Sequence, residues 1–118
     1  MNAYIIQHVH PYILLLLAIL SEVVGTSALR ASQGFSRLAP SALVVVGYAV
    51  SFYIVSLTLK TLPLGLVYAV WSGLGTALIV GVGVVVFGEG LDAARVAGIA
   101  LIIGGVVVLN AFSGTPAH

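Results

Sequence analysis

The sequence predicts an all-α integral membrane protein of four transmembrane helices, and three observations carry that expectation. Of 118 residues, 61% are hydrophobic and 6% charged, against about 25% charge in an ordinary soluble domain. The charged side chains are Glu22, Arg30, Arg37, Lys60, Glu89, Asp92 and Arg95, and between them lie four long stretches that carry, Glu22 excepted, no charge. Each stretch is about 20 residues long, the length a helix needs to cross the hydrocarbon core of a bilayer. Residues 1–118 therefore read as a single four-helix membrane domain with room only for tails and short connections.

The first helix is expected over about residues 12–29. Pro11 opens it where a missing amide costs nothing, and Arg30 closes it beside the negative end of the helix dipole. Residues 1–10 hold no Lys or Arg, and the apolar run that follows is of span length, so the segment reads as a retained helix rather than a cleaved signal. The connection RASQGFSRLAP, Arg30 to Pro40, has the Gly and Ser content of a loop. The second helix is expected over 41–59, opened by Pro40 and ended by Lys60. A link of only Thr61, Leu62 and Pro63 makes it an antiparallel hairpin with the third, over 64–87. After the loop Gly88 to Asp92, Asp92 is a good N-cap for the fourth, over 93–112. Gly114, Thr115 and Pro116 form a tail.

The third and fourth segments are rich in Val and Ile, yet inside lipid the backbone must satisfy its own hydrogen bonds, which favours helix. A β-barrel is excluded, because these runs are apolar on every side instead of alternating. Gly98 and Gly105 lie seven apart on one face of the fourth segment. Small residues permit close helix contact, so the pair serves either packing within the chain or a dimer seam. The paired glycines Gly73 and Gly75 are expected as a hinge in the third segment.

Glu22 is the one ionisable side chain inside a span, about ten residues from each end of its helix, where insertion costs roughly 2.5–3.5 kcal/mol. No Lys, Arg or His lies within any span to pair with it. Its neighbours one turn away, Ala18, Gly25 and Thr26, are small and leave space beside the carboxylate. A carboxylate away from water is stable only when a positive charge neutralises it, so a proton and a hydrophobic cation compete for one place. That exclusion is the minimum physics of an antiporter.

Aromatic residues follow the same logic. Tyr68, Trp71, Ser72 and Gly75 form one stripe of the third segment, and Tyr48 and Phe52 stand four apart on the second, with Ser51 beside them. Aromatic faces attract cations, more strongly when desolvated. Packing is the other use of such a stripe, and an interfacial position is the ordinary one for Tyr4 and Tyr12. Dispersed basic residues leave no polyanion footprint, so no nucleic-acid role is expected. No nucleophile, base and orienter set appears, so no enzyme is expected, and no cofactor. With no cysteine, thiolate chemistry is excluded, and His8 with His10, two apart, make a poor metal site and read as solvated tail.

Several stretches in order, PYI at 11–13, AILSEVVGT at 18–26, GFSRLAPS at 34–41, YAVSF at 48–52, PLGLVYAVWSGLG at 63–75 and GLDAARVAG at 90–98, with Asn110, resemble the small multidrug resistance transporters, and most closely their EmrE-like multidrug branch. The likeness covers roughly residues 11–112. It implies a proton-coupled exporter of hydrophobic and quaternary ammonium cations in the bacterial inner membrane, built as an antiparallel homodimer of chains inserted in opposite orientations. On this likeness the essential carboxylate is Glu22, the binding tyrosines are Tyr12, Tyr48 and Tyr68, the tryptophan is Trp71, and the packing glycine is Gly105. The guanidinium-exporting branch of the family, which usually has a tryptophan where this chain has Gly25 and lacks Tyr48, is an alternative. Another is a non-transporting membrane subunit or the partner-dependent half of a heterodimer. Two features depart from the pattern: about eight residues before the family start, and Glu89, which reads as a loop charge.

Overall fold

The computed structural model describes residues 10–112, which form four helices and no strand. They are α1 (Pro11–Ala31), α2 (Leu38–Thr58), α3 (Leu64–Phe87) and α4 (Ala93–Phe112). All four are long and apolar enough to cross a membrane, and together they make a slab with principal extents of 44 × 41 × 18 Å. The Arg30–Glu89 ion pair puts the C-terminal ends of α1 and α3 on one side. The Tyr12 hydroxyl, 3.3 Å from Asn110 Oδ1, puts the start of α1 beside the end of α4. The helices thus run up, down, up, down.

α2 begins at Leu38 instead of Ser41, so Pro40 lies within its first turn and not ahead of it. The first amides of a helix have no intrahelical acceptor, and proline is tolerated throughout that turn. Arg37 is the N-cap residue, and its carbonyl accepts from the Ser41 amide at 3.1 Å. At α4 the Asp92 carboxylate accepts from the Arg95 amide at 2.9 Å, capping the helix as its sequence suggests.

α1 is the spine. One side buries Leu15, Ile19 and Val23 with Val67 of α3, and another buries Leu14 and Ala18 with Ile54 of α2. α2 approaches α1 at Gly47, where a Cβ would stand 3.0 Å from both the Gly25 Cα and the Ser21 carbonyl oxygen. One turn further along α2, buried Ser51 donates to the Ala18 carbonyl at 2.7 Å, fixing the two helices together. α4 packs mainly on α3 and contributes no buried residue; Leu101 and Phe112 are each 77% exposed. α3 runs unbroken through Gly73 and Gly75. Gly73 admits the neighbouring helix, since a Cβ there would lie 3.0 Å from Val106 Cγ2.

Candidate functional site

Glu22 lies at mid-height on α1, about 16 Å along the helix axis from its start at 1.5 Å per residue. One turn later the Thr26 hydroxyl donates to Glu22 Oε1 at 2.7 Å, and the Tyr48 hydroxyl of α2 stands 2.6 Å from Thr26 Oγ1. A hydroxyl has one hydrogen to give. With the Thr26 hydrogen committed to Glu22, Tyr48 is the donor in the second bond, and the chain runs Tyr48 to Thr26 to Glu22. A protonated Glu22 would let the whole chain reverse. The Tyr48 ring reaches this position because Gly25 has no side chain: a Cβ there would touch ring carbon Cδ1 at 3.4 Å.

The carboxylate faces a hollow of about 650 Å³ between α1, α2 and α3. Tyr48, Phe52, Tyr68, Trp71 and Ser72, all singled out by the sequence, line it. Tyr48 and Phe52 have ring centroids 6.4 Å apart with planes inclined by 43°. Phe52 and Tyr68 are 65% and 73% exposed, so this aromatic wall is open on one broad face of the slab. Among the described residues the ion pair present joins Arg30 to Glu89, and no cationic side chain reaches Glu22. A carboxylate offers about four acceptor positions and this one receives a single side-chain hydroxyl. Its remaining capacity is open to a ligand of positive charge or to a proton.

The other expected residues fall elsewhere. Tyr12 lies ten residues before Glu22, about 15 Å along α1, hydrogen-bonded to Asn110 and stacked on His10 at 5.6 Å between centroids. This chain does not bring it to the hollow. His10 is exposed, as a solvated tail residue would be, and its Nδ1 accepts from the Tyr12 amide at 3.2 Å and caps α1. His8 lies outside the described residues. Gly98 and Gly105 have open space where a Cβ would stand, so neither packs against another helix of the same chain. Among the described residues no three His, Asp or Glu gather as metal ligands. Thr26 was visible in sequence only as a small neighbour of Glu22; its bond to Tyr48 depends on the α1–α2 approach at Gly47, which periodicity does not reveal.

Comparison with known proteins gives consistent likenesses. The family model described as Small Multidrug Resistance protein matches residues 10–102. The chain is 50% identical over 107 residues to the quaternary ammonium compound-resistance protein QacE of Escherichia coli, covering 91% of this chain and 97% of that protein. It is 52% identical over 99 residues to the multidrug resistance protein EbrA of Bacillus subtilis, covering 84% and 94%. A multidrug transporter of Pseudomonas aeruginosa is 48% identical over 107 residues, covering 91% and 97%.

Proposed function

The chain belongs to the small multidrug resistance family, and on that premise we propose that it exports hydrophobic and quaternary ammonium cations in exchange for protons, with Glu22 as the group both compete for. The observation that carries this reading is the aromatic hollow that opens onto a mid-membrane carboxylate without a cationic partner among the described residues. Tyr48, Phe52, Tyr68 and Trp71 offer faces to a delocalised cation, Ser72 offers a polar contact, and Glu22, held by the Thr26 hydroxyl, supplies the charge. Loss of the proton prepares the site for the cation. Protonation releases it, and no other energy source is required.

The multi-pass chain is read as residing in the bacterial inner membrane, as an antiparallel homodimer whose two Glu22 carboxylates share one site. The exposed face of α4 at Gly105 supports its use as the seam, because small residues let helices approach closely in lipid, whereas Gly98 lines the space between α1, α3 and α4. Tyr12 would then serve a site formed by both copies. The names of the relatives favour quaternary ammonium over guanidinium as the substrate class.

Reconstituted vesicles with an imposed pH gradient test the proposal. A quaternary ammonium ion should drive proton counterflow and guanidinium should not. Counterflow with guanidinium alone would move the chain to the other branch, and none with either would leave the non-transporting reading standing.

A further inference from the structure

A second cavity, of about 500 Å³, lies between α1, α3 and α4 and is built unlike the hollow at Glu22. α4 packs on α3 and meets α1 through the Tyr12–Asn110 bond at the opposite end of the span, and the cavity fills the cleft left between α1 and α4 at the Arg30 end. Val80 and Val82 of α3 and Ile99 and Ile102 of α4 form its walls. The hydroxyls on the α1 side are spent within their own helix, Ser27 donating to the Val23 carbonyl at 2.7 Å and Thr26 to Glu22 at 2.7 Å. A cleft with such walls takes hydrocarbon in preference to water. From Arg95 to Ile102 it runs about 10 Å along α4, roughly two-thirds of the depth of one leaflet.

The mouth is polar, and its charge is not balanced. Arg30, Glu89 and Arg95 stand there. Gly88 adopts φ +68°, which turns the chain back so that the Glu89 amide donates to the Gly83 carbonyl at 2.9 Å. The Glu89 carboxylate then pairs with Arg30, whose guanidinium carbon lies 4.7 Å above the Phe87 ring centroid. That leaves Arg95. Its Nη1 donates to the Gly90 carbonyl at 2.8 Å, the Asp92 carboxylate is occupied with the Arg95 amide, and among the described residues no carboxylate pairs with the Arg95 guanidinium. An arginine has five N–H donors in a fork that suits phosphate, and most of these are unspent. The acidic side chains of the chain are Glu22, Glu89 and Asp92, all three committed. A second copy in the opposite orientation would bring its Lys60 end to this level, and one in the same orientation would bring a second Arg95 with the same committed acids, so neither supplies the missing anion.

We propose that this cavity binds an anionic phospholipid, one acyl chain lying against Val80, Val82, Ile99 and Ile102 and the phosphate held by the Arg95 guanidinium, with the N–H groups of Arg30 that Glu89 leaves free as further donors. A basic pocket between helices at the level of the headgroups is the arrangement that selects anionic lipids. A zwitterionic lipid offers the same chains and phosphate but brings its own cation into a mouth that already holds two guanidinium groups, so phosphatidylglycerol is preferred over phosphatidylcholine. The bound lipid braces α4 against α1 where the two helices have no contact of their own, a use independent of the exchange proposed at Glu22.

Native mass spectrometry of the full chain in detergent, titrated with phosphatidylglycerol or phosphatidylcholine of equal chain length, measures the retained lipid. Phosphatidylglycerol should bind severalfold more tightly and fill one site per chain before weaker adducts form. Arg95→Gln should weaken it about fivefold, the usual worth of one arginine at an anionic headgroup. Arg95→Lys should keep most of the affinity, and Lys60→Gln, at the opposite end of the span, should leave it unchanged. Ile99→Trp, which fills the apolar wall and alters no charge, should weaken retention as well. Equal retention of the two lipids, or equal losses in Arg95→Gln and Lys60→Gln, would overturn the proposal. Displacement of phosphatidylglycerol by an equal concentration of glycerol phosphate would also overturn it, by showing a small-anion site with no use for the acyl chain. So would a shift in the dimer population of Ile99→Trp with lipid retention intact, which would assign the cavity to a second copy.

Discussion

The hydroxyls of Thr26 and Tyr48, 2.6 Å apart, join α1 to α2 directly above the Glu22 carboxylate. Tyr48 thereby has two uses, a ring that faces the hollow and a hydroxyl that supports the acceptor. Tyr48→Phe separates them. The variant keeps the ring and should lose about 1 kcal/mol of cation affinity, the usual worth of one hydrogen bond. Titration calorimetry with a quaternary ammonium checks this; an unchanged Kd would reduce the Tyr48 hydroxyl to a packing contact.

Glu22→Gln should abolish export while the protein still inserts, since the amide keeps the volume and removes the titratable group. Glu22→Asp keeps a carboxyl and should retain part of the transport. Vesicle efflux assays measure both, and transport at the normal rate by the Gln variant would end the role given to Glu22.

Cation affinity should rise with pH. A proton on Glu22 excludes the cation, so raising the pH removes the competitor. Binding measured from pH 5 to 9 distinguishes this from attraction by aromatic faces alone, which gives a flat profile.

Trp71→Ala and Tyr68→Ala should each weaken binding of aromatic cations by roughly 1–2 kcal/mol, the range of a desolvated cation–π contact. Dissociation constants unchanged in both variants would assign these side chains to packing.

Gly47→Ala should drive α1 and α2 apart, because the new methyl meets backbone atoms of Ser21 and Gly25 at 3.0 Å that cannot rotate away. Overpacking of this kind costs about 1–3 kcal/mol. A lower thermal midpoint in detergent should accompany weaker cation binding, as Tyr48 withdraws from Thr26.

The four spans were legible because hydrocarbon length and the absence of charge leave little choice. The residues expected on α2 and α3 around Glu22 were legible for the same reason: a helical repeat fixes which side chains share a face. Contacts between faces were not. Glu89, expected as a loop charge, is held by Arg30 of a helix nearly sixty residues earlier, and only the left-handed turn at Gly88 brings it there. Gly73 was picked out because paired glycines weaken a helix, and the use that Ile102 and Val106 make of its missing side chain as space was not legible. Pro40 marked a helix start to within a turn, which is as much as proline can specify.

The uneven contacts of α1 have a consequence in time. Once synthesis has passed Thr58, the nascent chain already holds both partners of the Ser51–Ala18 bond, the Gly47–Gly25 approach and the Tyr48–Thr26–Glu22 relay. The acidic centre can therefore assemble while the rest is still on the ribosome, in keeping with N-terminal parts folding first during translation. α3 arrives later with the wall of the hollow, and α4 last, with nothing to add to the surroundings of Glu22. The newest helix to leave the ribosome is the one whose surface is uncommitted.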